Sequence, residues 1–407
     1  MNIIDGNVTS AKGFKAIGKF VGLKRERKDL ALILSETPAV ASGCFTQNVV
    51  KAAPVLWDIE RVKKQKDKIT GIVINSGNAN ACTGTQGMKD AETTAEVFAE
   101  LANCKKENVL VCSTGVIGVN LPMETLTNGV KETFPLLSDT FESGVLASEA
   151  IMTTDTFAKT VCVEVELSGK KVTIGGMAKG SGMINPNMAT RLCFITTDAN
   201  ISKDMLDKAL SECVVDTFNM ICVDGDTSTN DTVLVLANGL AGNDEITEEN
   251  ADYEEFKKAL FHINKTLAMN CARDGEGATK LMEVTATGVK TKDSARKLVN
   301  SVVSSNLFKA ALFGADANWG RVLCAMGYSG AEFNPSGVTI VFRSKAGEIL
   351  LMDNGTPIVF DEDKAAKILK ETDIFIDIKL AEGSETATAW GCDLTYDYVK
   401  INGDYRS

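Results

Sequence analysis

A chain of 407 residues is too long for one small module; it suits one large α/β domain with an appendage, or two domains of ordinary size. Hydrophobic residues at 44% and charged residues at 24% are ordinary for a soluble globular protein and leave little room for disorder. Lys plus Arg at 43 against Asp plus Glu at 54 gives a net charge of −11, so neither nucleic acid nor an anionic membrane is expected as a partner.

The opening residues lack a charged stretch followed by an apolar one, and no apolar run approaches the length that crosses a bilayer, so a soluble, cytoplasmic protein is expected. Gly71–Ile74 reads as a buried strand entering the small-residue loop 75–84, and helical spacing follows over Asp90–Cys104. Val109–Cys112 is a short apolar strand ending in the loop 113–118. Thr160–Leu167 alternates as a half-exposed strand, Lys171–Ile174 follows after a turn, and Leu192–Thr196 is a further strand. Ser202 is placed to cap a helix running to about Ile221. A strand is expected at Thr232–Ala237, a helix near Glu248–Asn270, strands near Leu281–Thr287, and a helix near Ser294–Phe313. Strands at Val322–Met326, Val338–Arg343 and Glu348–Met352, a helix at Asp363–Glu371 and a strand at Ile374–Lys379 complete the series. Both kinds of element are mixed throughout, which argues an α/β or α+β fold with layered sheets and helices. No composition shift marks a domain border.

The single histidine, His262, excludes zinc sites that need two. It lies in an amphipathic pattern with Phe256, Leu260, Ile263 and Leu267, which reads as an ordinary helix position and not as a catalytic one. Eleven scattered cysteines with no CxxC pair fit a reducing compartment and no metal site. The glycine-rich stretch 175–183 has its lysine in the wrong place for a phosphate loop. The loop 224–231 lacks the glycine and glutamate of a calcium loop and reads as a tight turn with side-chain-to-backbone bonds. Without histidine, a hydroxyl can still act as nucleophile if it stands at a chain terminus, where the α-amine, with a pKa of about 7.7–8.0, serves as its base. Lys179–Thr190, KGSGMINPNMAT, offers such a junction: Gly180 and Gly182 give freedom, Pro186 restrains the chain, and Ala189 adds little bulk before Thr190.

KGSGMINPNMAT followed by LCFITTDA resembles the processing signature of the ornithine acetyltransferase (glutamate N-acetyltransferase) family. The resemblance continues in order through FTQN at 45–48 and KAAP at 51–54, NSGNANACTG (75–84), STGVIG (113–118) and MTTDT (152–156). VDGDTSTND (223–231), DGEGATK (274–280), ANWGR (317–321) and INGDYRS (401–407) extend it, so it spans essentially the whole chain. It implies an N-terminal-nucleophile-like α/β fold and self-cleavage between Ala189 and Thr190, giving an α chain of 1–189 and a β chain of 190–407 joined in a heterotetramer of two of each. It further implies Thr190 as nucleophile, with Thr114 and Gly115 stabilising the oxyanion. Thr153, Lys179, Thr190, Glu276, Asn402 and Ser407 are implied as substrate contacts for N-acetylornithine and glutamate. No metal or redox cofactor is implied; acetyl-CoA as a second acyl donor is left open. Arg191 departs from the apolar residue expected after the nucleophile, which bears on the efficiency of cleavage. The rival readings are a self-processed amidohydrolase or aminopeptidase using the same Thr190, and an uncleaved binding protein.

Overall fold

Where β-branched residues alternate between two apolar surroundings, the chain forms strands buried on both faces. The computed structural model describes residues 1–65, 68–185 and 192–404. In chain order its elements begin with β1 (Asn2–Ile4), β2 (Phe14–Lys19), β3 (Leu30–Phe45), α1 (Ala53–Lys64), β4 (Ile69–Asn78) and α2 (Gly84–Ala102). There follow β5 (Val109–Val116), α3 (Met123–Thr133), α4 (Phe141–Ala150), β6 (Lys159–Leu167), β7 (Lys170–Lys179) and β8 (Leu192–Thr197). Next are α5 (Lys203–Val215), β9 (Ile221–Cys222), β10 (Thr232–Ala237), α6 (Ala251–Arg273), β11 (Leu281–Val289), α7 (Lys292–Val303), α8 (Asn306–Phe313) and α9 (Trp319–Gly327). The last are β12 (Thr339–Ser344), β13 (Gly347–Asp353), β14 (Thr356–Pro357), α10 (Glu362–Leu369), β15 (Asp373–Lys379), β16 (Glu385–Cys392) and α11 (Tyr396–Gly403).

The chain divides into two units: Met1–Gly180, Asn187–Phe218 and Thr227–Leu267 form the first, and Ser181–Pro186, Asn219–Asp226 and Ala268–Ser407 the second. In the first unit nine strands run in the order β1-β6-β7-β8-β10-β3-β4-β5, with β2 also on β3. β3 serves two neighbourhoods: Leu30–Leu34 pair with β4, the register shifts before Ala39, and Val40–Phe45 pair with β10. One face of β3, β4 and β5, carrying Ile33, Ile72, Ile74 and Leu110, shares a core with Met177, Phe194, Leu234 and Leu236 of β7, β8 and β10. The alternate residues Leu32, Val73, Val109 and Val111 pack with Trp57, Ala91, Phe98 and Val130 of α1, α2 and α3. On the far side a Cβ at Gly176 of β7 would meet Leu267 and Ile263 of α6 at 3.0 and 3.1 Å, so the glycine lets helix and strand approach closely. The result is a helix–sheet–sheet–helix stack, which bears out the layered α/β expectation.

The second unit is built on a seven-stranded sheet, β14-β13-β12-β15-β11-β16-β9, with α7 against β11 and β16 and α10 against β12 and β13.

Three expectations are corrected. Val322–Met326 is not a strand but the body of α9: Val322, Ala325 and Met326 are its buried stripe, and the Asn318 side chain caps it by accepting from Arg321 N at 3.1 Å. The expected helix 294–313 is two helices, because Ser305 starts a new one by capping Phe308 N. The helix capped by Ser202 ends at Val215, since Ile221–Cys222 is drawn into the second sheet beside β16. His262 lies half-buried on α6, next to the fully buried Ile263.

Candidate active site

The first unit assembles its polar cluster where β4, β5 and β7 end. β4 and β5 run parallel, with Ser76 opposite Thr114 and Gly77 opposite Gly115. Asn230 fixes this end, its Nδ2 donating to Ala79 O at 2.7 Å and to Ser113 O at 2.8 Å. Gly115 has φ +138°, and a Cβ there would fall 2.2 Å from the Gly77 carbonyl carbon, so only glycine permits this approach.

Lys179, the last residue of β7, is buried, and its Nζ donates to Thr153 Oγ1 at 2.7 Å and to Thr114 Oγ1 at 3.4 Å. Beneath it lies Asp155, which the sequence reading did not single out. Its Oδ1 accepts from Lys159 Nζ at 2.7 Å and Gly180 N at 2.6 Å, and its Oδ2 accepts from Thr153 N at 3.0 Å and stands 4.0 Å from Lys179 Nζ. Burial by itself would raise the Asp155 pKa. The Lys179 and Lys159 charges, together with the donated hydrogen bonds, outweigh it and hold the carboxyl well below the usual carboxylate range. The signal was present as the lone acid in MTTDT with a lysine four residues on, but the burial that gives it meaning is tertiary.

The second unit carries an acidic cluster. Glu276 is buried, its backbone N donates to Ser181 O at 2.8 Å, and its Oε2 accepts from Asn402 Nδ2 at 2.7 Å. Gly182 lies directly against that carboxylate, since a Cβ there would sit 2.6 Å from both oxygens. Gly182→Ala is therefore expected to displace the Glu276 carboxylate and to disturb its hydrogen bond from Asn402; were that carboxylate to hold a cationic substrate, KM for it would rise roughly tenfold. Asp224 accepts from Met183 N at 2.6 Å, Ile184 N at 2.8 Å and Asp226 N at 3.1 Å, while Asn185 Nδ2 donates to Gly225 O at 2.8 Å. The loop 224–231 is thus a turn held by side-chain-to-backbone bonds, as its sequence suggests. Burial, followed by the charges of Asp224, Glu276 and Asp226, pushes the Tyr398 phenol far up, so it stays protonated.

Of the residues expected at the site, Thr114, Gly115, Thr153 and Lys179 come together in the first unit, and Glu276 and Asn402 in the second. Ala189, Thr190 and Ser407 lie outside the described residues.

The first unit thus sets a buried ammonium between two threonine hydroxyls at a glycine-lined strand end, on a layered α/β scaffold. The chain matches the ArgJ family over residues 15–407, belongs to that family, and is an acyltransferase of arginine biosynthesis. It is 54% identical over 407 residues to the arginine biosynthesis bifunctional protein ArgJ of Caldanaerobacter subterraneus subsp. tengcongensis, covering 100% of both chains. The crystal structure of the arginine biosynthesis bifunctional protein from Bacillus halodurans aligns at 49% identity and a TM-score of 0.50, over 52% of this chain and 98% of that one. An ornithine acetyltransferase complexed with ornithine from Mycobacterium tuberculosis aligns at 39% identity and a TM-score of 0.42, over 46% of this chain and 97% of that one. Among the described residues no helix is long and apolar enough to cross a membrane.

Proposed function

We propose that this chain is a glutamate N-acetyltransferase that moves acetyl from N2-acetyl-L-ornithine to L-glutamate through an acyl-threonine after cleaving itself between Ala189 and Thr190. The Thr190 hydroxyl attacks the Ala189 carbonyl carbon, the C–N bond breaks as the ester forms, and water hydrolyses that ester. This leaves a carboxylate on 189 and a free α-amine on 190. In turnover the amine accepts the hydroxyl proton as the oxygen attacks the acetyl carbonyl. The Thr114 hydroxyl and the Gly115 N–H receive the developing alkoxide, ornithine leaves with a proton, and the glutamate amine then takes the acetyl group. Lys179 suits the amino-acid carboxylate shared by donor and acceptor, and Glu276 with Asn402 suits the ornithine side-chain ammonium; Thr153 and Ser407 complete the contacts.

The observation that carries this reading is the Lys179–Thr153–Thr114 cluster at the end of β7, within a chain of ArgJ family sequence. Two further observations support it. β7 and β8 flank the cleavage point and pair residue by residue from Lys179–Leu192 to Ile174–Thr197, so the α and β chains stay joined by a strand ladder once cut. The solved Bacillus halodurans chain is about half the length of this one, as a split precursor would give. Two α and two β chains form the expected heterotetramer, and acetyl-CoA is the second donor to be tried.

The test is acetyl transfer with and without glutamate. Acetylornithine consumption that requires glutamate supports the transferase; equal consumption without it makes the protein a hydrolase. Thr114→Ala is expected to lower kcat by about 10²-fold, some 2.7 kcal/mol, with KM little changed, because the lost donor acts on charge that exists only in the transition state.

A further inference from the structure

The loop between β2 and β3 carries Lys24, Arg25, Glu26, Arg27, Lys28 and Asp29 in succession. Such a run is ordinarily a solvated surface, but here it is fixed from within. Asp29 is fully buried and its carboxylate accepts four backbone N–H groups, from Val21 at 2.7 Å, Gly22 at 3.1 Å, Leu23 at 2.6 Å and Lys24 at 2.9 Å. The Asp29 carbonyl accepts from Ser76 N of β4 at 2.8 Å, and Ser76 Oγ donates to Ala150 O at 2.6 Å. Three cations of this loop reach the last turn of α4 and the residues that follow it. Lys24 Nζ donates to Met152 O at 2.6 Å and to Lys28 O at 2.8 Å, Arg27 Nη1 donates to Thr153 O at 3.2 Å, and Lys28 pairs with Glu149 at 2.7 Å.

β4 makes room for this grip. Gly77 has φ +102°, and a Cβ there would stand 3.0 Å from Lys24 Cγ. Burial is the main cause that lowers the Lys24 pKa to about 8; Lys179 and Arg27 lower it further, while Asp29 and Asp155 oppose them. The segment it holds ends in Thr153, whose backbone N is already tied to Asp155 and whose hydroxyl accepts from Lys179.

We propose that Lys24 is a positioning residue for acyl transfer: with Arg27 and Lys28 it holds the Glu149–Thr153 segment so that the Thr153 hydroxyl stays on Lys179 and both are set for the substrate. This rests on the reading that Thr153 and Lys179 contact the acyl donor. Lys24 itself is turned to backbone carbonyls and acts through the segment.

The experiment is steady-state kinetics of the full-length protein, with wild type, Lys24→Met and Lys24→Arg compared by KM and kcat for acetylornithine from neutral to alkaline pH. Lys24→Met is expected to raise KM roughly tenfold, with kcat changed far less. In the wild type KM rises as pH passes through about 8 and Lys24 loses its proton. Lys24→Arg keeps the neutral-pH KM and loses that rise, because a guanidinium stays charged. An α-amine ordinarily titrates at about 7.7–8.0; the one that cleavage would create on Thr190 is common to both proteins, so it cancels in the comparison. A wild-type KM in Lys24→Met, or an unchanged alkaline rise in Lys24→Arg, overturns the proposal; the Arg comparison decides it even if the Met variant does not fold. A wild type that transfers no acetyl group at neutral pH overturns the functional reading, and this inference with it.

Discussion

Thr190→Ala is expected to leave one intact chain of 43.5 kDa where the wild type is expected to give fragments of about 20 kDa for 1–189 and about 23 kDa for 190–407, in proportion to length. In the mechanism proposed for this chain, one oxygen performs both reactions. Without the hydroxyl nothing attacks the Ala189 carbonyl, no α-amine is released, and the transferase loses nucleophile and base together. Removing a nucleophile from a triad-type enzyme costs about 10⁶ in kcat, and here the base goes with it, so no acetyl transfer above background is expected. Thr190→Ser keeps the hydroxyl and is expected to cleave and to turn over, more slowly. Denaturing mass spectrometry with sequencing of the new terminus reads the first outcome, and acetylornithine turnover the second. Wild type that remains at full length but transfers acetyl groups would separate the activity from Thr190 and sink the mechanism. Uncleaved Thr190→Ala should still fold, because the β7–β8 ladder that joins the two halves does not depend on the cut.

The sequence disclosed strands best where apolar runs end in turn residues. Thr232–Ala237 is β10 to the residue, and Leu192–Thr196 falls one residue short of β8. It misled where a short apolar run could serve either periodicity, as at Val322–Met326, whose helix is decided by the Asn318 cap and by packing against α7. The long strand β3 was missed because Glu36, Thr37 and Pro38 interrupt it at the point where it passes from β4 to β10. At the site, the residues legible in advance are those carried by contiguous motif blocks. Asp155 and Lys24 were not legible in advance, because the segments they hold and the burial that acts on their charges come from the tertiary fold. A carboxylate with four amide donors, like Asp29, looks in sequence like one more charge in a basic run.

Asp155→Asn carries the largest expected effect on stability. Each described partner of that carboxylate is a donor: Lys159 Nζ, Gly180 N and Thr153 N within hydrogen-bond distance, and Lys179 Nζ at 4.0 Å. An amide must turn its NH2 toward one of them, and it removes the carboxylate charge that faces the Lys159 ammonium, whose side chain is 0% exposed. Breaking a buried pair by removing one member costs about 3–5 kcal/mol, which for a chain of this length corresponds to a Tm lowered by roughly 5 °C. The pH dependence has a definite sign. The folded carboxyl is held below its ordinary value of about 3.9, so its contribution is complete above that pH and declines as pH falls further toward the folded value. The stability gap between wild type and Asp155→Asn is therefore full from neutral pH down to about pH 5 and narrows below about pH 4. Thermal melts of both proteins across that range read it directly. A gap that stays constant through pH 3, or none at pH 7, would mean that Asp155 does not carry the charge that holds Lys159 and Lys179. Activity should fall further than stability at temperatures where the variant is folded, because Asp155 also fixes Thr153 N and Gly180 N, and with them the hydroxyl and the ammonium that meet at the end of β7.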